Sequence, residues 1–172
     1  MRKILFVCKH NRFRSKVAEA FFNKLNKNKD YVASSAGLLP GGYPLDKLQV
    51  KIAREFGIEL KGKPQAITTN LLMWMNLMVI VADNVPCEIF KNQKIDAPPR
   101  TKVRGLIGAR FLDARSVPRS KERGFQTLRH KKYGREEIVW KIEDEDNGNY
   151  DDTYKIIKKI EDKVRDFVRS LK

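Results

Sequence analysis

The chain has 172 residues, enough for one domain with a buried core, and no apolar run approaches the roughly 18–20 residues that a membrane span needs. Thirty-six Lys and Arg against 21 Asp and Glu leave a formal charge of +15, so anions rather than cations are the expected partners. Two cysteines without a framework spacing exclude a disulfide-stapled scaffold and fit a reducing cytoplasm, and the basic start Met1–Val7 runs at once into Lys9 and His10, unlike a signal peptide.

In chain order, short apolar runs alternate with stretches of helical periodicity. A first strand covers about Lys3–Val7. A helix follows over Ser15–Leu25, with Val17, Ala18, Phe21, Phe22 and Leu25 on one face. A second strand is expected near Val32–Ser35, closed by Gly37, and a Gly- and Pro-rich loop spans Leu38–Pro44. Helices are predicted over Leu45–Phe56, Leu71–Met75 and Pro86–Lys91. Leu77–Val81 is the most apolar run and is expected to be a central strand. A fourth strand is expected within Val103–Phe111. An apolar run at Ile138–Ile142 precedes the last helix, which Asn149 caps and which repeats Ile156, Ile157, Ile160, Val164, Phe167, Val168 and Leu171 at three and four. This βαβα alternation predicts a single α/β domain over 1–172: three layers, with a four-stranded parallel sheet flanked by helices on both faces. The stretch 114–137 has no clear period and reads as a basic surface insertion.

The most informative segment is Val7-Cys8-Lys9-His10-Asn11-Arg12-Phe13-Arg14-Ser15, a C-x5-R-S pattern between the first strand and the first helix. Loop N–H groups and the positive end of a helix converge there on an anion. Arg14 can add a bidentate guanidinium fork to a tetrahedral oxyanion, and the same field stabilises a thiolate at Cys8. A thiolate beside a phosphate cradle is a nucleophile aimed at phosphorus. Such chemistry needs a carboxyl group to protonate the leaving oxygen. The acidic turn Glu143-Asp144-Glu145-Asp146 before the last helix offers one, with Asp83 and Asp113 as competitors. Neither His10 nor His130 has recognisable metal-ligand spacing, so no metal or cofactor is expected.

These residues resemble a family. Val7-Cys8-x5-Arg14-Ser15 with Ala18-Glu19-Ala20, Ser34-Ser35-Ala36-Gly37, Gly57-Ile58 and Ala82-Asp83-Asn84 look like the low-molecular-weight protein tyrosine phosphatases, and equally like the thioredoxin-coupled arsenate reductases that share their fold. The resemblance implies Cys8 as nucleophile, Arg14 as phosphate clamp and Ser15 as a hydroxyl that lowers the thiolate's energy. It implies that Asn11 holds the loop through a bond toward Ser35. The spacing of Ile142-x-Asp144 before Gly148 implies Asp144 as general acid. Substrate contacts are expected from Lys9, His10, Asn11, Arg12, Phe13, Arg14 and, as an aromatic wall, Tyr43. Glu145, Asp146 and Asn147 stand where the family carries a proline and two aromatics, and Phe13 stands where many members carry a second loop cysteine.

The expected function is therefore a cytoplasmic cysteine-dependent phosphatase, hydrolysing phosphate monoesters of the phosphotyrosine type in a protein or a small ester through a phosphocysteine. One alternative is arsenate reduction by Cys8 with an external thiol, since only Cys87 follows the third strand. Another is a polyanion-binding role for residues 100–135, where twelve Lys/Arg face Asp113 and Glu122 and supply a net +10 of the chain's +15.

Overall fold

In the computed structural model the described residues are 1–39, 42–86, 88–91, 126–130, 135–144 and 148–171. In chain order they form β1 (Arg2–Cys8), α1 (Arg14–Leu25), β2 (Tyr31–Gly37), α2 (Lys47–Glu55), α3 (Thr69–Trp74), β3 (Leu77–Val81), α4 (Glu88–Lys91), β4 (Gln126–His130), β5 (Arg135–Trp140) and α5 (Tyr150–Ser170). Among the described residues no helix is long and apolar enough to cross a membrane.

The sheet order is β2-β1-β3-β5-β4. Its first four strands are parallel, the architecture expected from the sequence, and β4 adds an antiparallel edge against β5. β3 is central, as its composition predicts. The fourth parallel strand is β5, not a segment of Val103–Phe111, which lies outside the described residues. Residues 126–130 and 135–137, expected within a surface insertion, are sheet residues, while the remainder of 114–137 lies outside the described set.

Parallel strands are buried on both faces, which explains the uninterrupted burial from Ile4 to Cys8. Alternation along β1 then divides the interior. Ile4 and Phe6 join Phe21 and Phe22 of α1, Ile52 of α2 and Ile157, Ile160, Val164 and Phe167 of α5 on one face. Leu5 and Val7 join Leu72 and Met75 of the α3 region and Met78 and Ile80 of β3 on the other. Phe6 is the hinge of the aromatic packing, 5.9 Å from both Phe22 and Trp140 by ring centroid.

Helix boundaries follow from their caps. Asp46 caps α2 through Leu48 and Gln49, Thr68 caps α3 through Leu71, and Asn149 caps α5 through Asp152. At α1 the capping position is Phe13, and no side chain caps that end. Register places Cys8 beside Gly37, Val7 beside Ile80 and Val81 beside Trp140, so the strands end along one edge. In an open parallel sheet the crevice outside those ends is where ligands bind.

Candidate active site

Cys8 is the last residue of β1 and is 3 % exposed. From it the chain must turn back on itself to start α1 at Arg14. Asn11 makes the turn with a φ of 55°, a left-handed conformation that Asn tolerates better than most residues. This brings the Asn11 backbone N–H onto Cys8 Sγ at 3.2 Å. The loop passes so close to β2 that a Cβ on Gly37 would lie 2.6 Å from the His10 carbonyl carbon and 2.7 Å from Asn11 N. Leu38 N–H and Leu39 N–H donate to the carbonyls of Cys8 and Lys9, both at 2.9 Å, and tie the loop to the strand beyond Gly37.

Behind the loop runs a buried hydrogen-bond chain. The Asn11 amide donates to Ser15 Oγ at 2.9 Å and to Ser35 Oγ at 2.8 Å. Its oxygen accepts the Gln65 N–H at 3.0 Å, and the Gln65 side chain donates to the Ser35 carbonyl at 2.7 Å. The Ser35 hydroxyl in turn donates a hydrogen bond to Glu19 Oε2 at 2.6 Å. Both amide hydrogens of Asn11 are thus spent on hydroxyl oxygens, and Ser15 is an acceptor toward Asn11. Ser15 Oγ lies 3.0 Å from Cys8 Sγ, where either atom can donate; with the sulfur as a thiolate the hydroxyl is the donor. The expected Asn11–Ser35 contact is present, and it is one link of a chain reaching from Glu19 to the sulfur.

Arg14 is 3 % exposed and ties the start of α1 to the segments that follow β3 and β5. Its NH1 donates to the Ile142 carbonyl at 2.9 Å and reaches Asp83 Oδ1 at 3.4 Å. Its NH2 donates to Asn84 Oδ1 at 3.2 Å and to Asp144 Oδ2 at 2.8 Å. Asn84 bridges the pair, since its Nδ2 also donates to Asp144 Oδ2 at 3.3 Å. Two of the three carboxylates weighed as the acid, Asp83 and Asp144, therefore converge on one guanidinium. Asp113 lies outside the described residues, as do Cys87, Glu145, Asp146 and Asn147.

Of the other expected contacts, Lys9 and His10 are half-buried on the loop. Arg12 is half-buried and Tyr43, beside it, is 72 % exposed. Phe13 differs from the expectation: its ring packs into the core with Val17 and Phe21, so only its backbone belongs to the loop. Four neighbours had no role assigned from sequence: Glu19, Gln65, Asn84 and Lys16. Asn84 carried a signal, as it follows Ala82-Asp83 at the end of β3. Lys16 is 6 % exposed and donates to the Lys61 carbonyl at 2.8 Å. Burial pushes its ammonium down from the ordinary value, with the charges of Glu19 and Cys8 acting in the opposite direction.

A cysteine at the end of a parallel strand, a seven-residue loop closed by an arginine and a helix with a free N-terminus define a cysteine-based phosphatase fold. The sequence pattern of the Low molecular weight phosphotyrosine protein phosphatase family matches residues 3–107, and the chain belongs to that family. Solved structures of similar fold include YwlE from Bacillus subtilis as a mutant (16% identity, 99% of each chain covered, TM-score 0.69). A low molecular weight protein tyrosine phosphatase from T. tengcongensis is similar over 99% of this chain and 97% of its own (17% identity, TM-score 0.63). So is an arsenate reductase from Archaeoglobus fulgidus DSM 4304, over 96% and 98% (19% identity, TM-score 0.59). At these identities the likeness is one of fold. No curated protein matches the sequence.

Proposed function

We propose that the protein is a cysteine-dependent phosphomonoesterase acting on phosphotyrosine-type esters. The observation that carries this reading is the chain Glu19–Ser35–Asn11–Ser15, which places a hydroxyl 3.0 Å from Cys8 Sγ, a donor to the sulfur once it is a thiolate, beside a buried arginine. A hydrogen bond of that kind stabilises a thiolate and does nothing for a thiol packed as a small hydrophobe.

The Cys8 thiolate attacks phosphorus in line, forming an S–P bond as the P–O bond to the leaving group breaks. Loop N–H groups, the uncapped end of α1 and the Arg14 fork hold the equatorial oxygens and offset the charge on them. Asp144 gives its proton to the departing oxygen. A water then loses a proton to the Asp144 carboxylate and attacks phosphorus, releasing inorganic phosphate and the thiolate. In this scheme the phosphoryl oxygens take over Arg14 NH2 from Asp144, and Asn84 keeps that carboxyl group beside the pocket. A thiolate nucleophile is best preserved in a reducing compartment, so a cytoplasmic site of action is part of this reading.

The same pocket has the shape and charge for arsenate, a tetrahedral twin of phosphate, whose reduction would need an external thiol. One panel separates the readings: p-nitrophenyl phosphate, phosphotyrosine and phosphoserine peptides, and arsenate with thioredoxin or glutathione. Hydrolysis of aryl phosphates that is lost in Cys8→Ser is the expected result. Arsenite production without ester hydrolysis would overturn it.

A further inference from the structure

Arg12 sits on the catalytic loop two residues before Arg14, and among the described residues its side chain is held by Pro44 and Tyr43. Its Nε donates to the Pro44 carbonyl at 3.1 Å, and its guanidinium carbon lies 5.7 Å from the centre of the Tyr43 ring, in cation–π range. Tyr43 is 72 % exposed, so the ring contributes little to the core and serves chiefly as a platform for the guanidinium. Among the described residues the two terminal nitrogens of Arg12 have neither a hydrogen-bond nor an ion-pair partner. Asp46, two residues beyond Pro44, is turned away onto the Leu48 and Gln49 N–H groups of α2, at 2.8 and 3.1 Å. The contrast with Arg14 is direct, because every terminal nitrogen of Arg14 is bonded.

A guanidinium fixed at Nε and held over an aromatic ring has its terminal NH1 and NH2 left as a preorganised fork for a planar carboxylate. Little side-chain freedom is left to lose on binding, which is the circumstance in which an exposed charge contact contributes affinity. The fork stands on the same short loop that cradles the phosphate. Arg12 is two residues from Arg14 in the chain, so one phosphopeptide is the substrate in which a phosphate and a neighbouring carboxylate can be offered to the two arginines together. Lys9 on that loop adds to the positive field, and neither it nor His10 is a competing anion.

We propose that Arg12 and Tyr43 form a carboxylate clamp beside the phosphate pocket, and that the substrates are phosphopeptides carrying Asp or Glu next to the phosphorylated residue. This inference rests on the phosphatase reading for its substrate class, and its test is arranged to fail separately.

Binding of three phosphotyrosine peptides, with Glu, Ala or Lys beside the phosphorylated residue, is measured by calorimetry on the Cys8→Ser variant, and turnover of the same peptides is measured on the wild type. The Glu peptide should bind about fivefold more tightly than the Ala peptide at low salt, the size of a favourable exposed charge contact. That ratio should fall to about one in Arg12→Gln and at high ionic strength. Arg12→Lys should restore only part of it, because an ammonium is a point charge and not a fork. Tyr43→Leu, which removes the platform, should lower the ratio as well. Equal binding of the three peptides, or a Glu preference that survives in Arg12→Gln, overturns the clamp. If the clamp signature is present while the wild type hydrolyses none of the peptides, the phosphatase reading fails and the clamp stands. Equal turnover with equal binding removes the clamp and leaves the phosphatase reading in place.

Discussion

Replacing Gly37 by Ala perturbs the loop without touching a polar group. The added Cβ would lie 2.6 Å from the His10 carbonyl carbon, 2.7 Å from Asn11 N and 2.9 Å from His10 Cα. All three are backbone atoms, so no flexible side chain can swing aside. Ordinary carbon contacts begin near 3.5 Å, and the loop and the end of β2 must therefore part by roughly 0.9 Å. The loop is fastened across that gap by the bonds from Leu38 N–H and Leu39 N–H, each 2.9 Å, and an opening of this size would carry them beyond good hydrogen-bond length. Overpacking of this kind costs about 1–3 kcal/mol of stability. Its effect on catalysis should be larger, because it displaces the N–H groups that face the phosphate; a shift near 1 Å costs on the order of 10²-fold in rate. The assay is kcat/KM for an aryl phosphate, together with the thermal midpoint and the protection of Cys8 from iodoacetate by phosphate. Gly42→Ala is the control, since a Cβ there meets nothing within 4 Å. A folded Gly37→Ala protein with wild-type kcat/KM and full phosphate protection would refute the reasoning, for it would mean the close approach does not shape the cradle.

Cys8→Ser should abolish turnover of p-nitrophenyl phosphate, and iodoacetate should label Cys8 at pH 6 with phosphate protecting it; labelling of Cys87 at the same rate would argue against an activated thiolate. Asp144→Asn should lower kcat on the order of 10²–10⁴-fold for esters with poor leaving groups, and less for p-nitrophenyl phosphate, whose product leaves with little help. Because Asp83 also reaches Arg14, the decisive comparison is Asp83→Asn: the same leaving-group dependence there, and none in Asp144→Asn, would move the acid to the β3 loop. Lys16 gives a pH prediction. Burial holds its folded-state value below 10.5, so between that lowered value and 10.5 the unfolded chain binds more protons than the folded one. Stability of the wild type relative to Lys16→Met should accordingly rise with pH across that interval; a difference that is flat up to pH 10.5 would show that burial does not suppress the charge.

The parts of the site that residue patterns alone reached are encoded locally, whereas Ser35 and Asp144, 24 residues from Asn11 and 130 from Arg14, came from the family resemblance. Cys8, Asn11, Arg14 and Ser15 lie within eight residues, and a strand before them and a helix after them fix their mutual placement almost without help from the rest of the chain. Gln65, Asn84 and the Ile142 carbonyl meet Asn11 or Arg14 across 54, 70 and 128 residues, and no periodicity carries that information. Phe13 shows the opposite failure. Its neighbours Arg12 and Arg14 mark it as a loop residue, yet at the capping position of α1 its ring points into the core, which only the packing reveals. The fourth parallel strand was misplaced because β5 opens with Arg135-Glu136-Glu137. Those charges read as the end of an insertion, although Glu137 is buried and the strand runs on through Trp140.

Burial divides the labour between the two halves of the site. Asn11 and Ser15 are fully enclosed, and Asn11 uses both amide hydrogens and its oxygen on other groups. Any substitution there strands several buried donors and acceptors at once, each costing about 1–3 kcal/mol, so the apparatus that holds Cys8 is bound to the fold itself. The rim is under no such constraint. Arg12 is half-buried and Tyr43 exposed, and among the described residues the hydrogen bond that Arg12 makes goes to the carbonyl of the exposed Pro44, so replacing it strands no buried group there. Chemistry common to the family can therefore persist in the interior while the rim changes with the substrate. On this chain the rim bears, on the phosphate loop, a guanidinium 5.7 Å over a tyrosine ring, and selectivity is to be sought there.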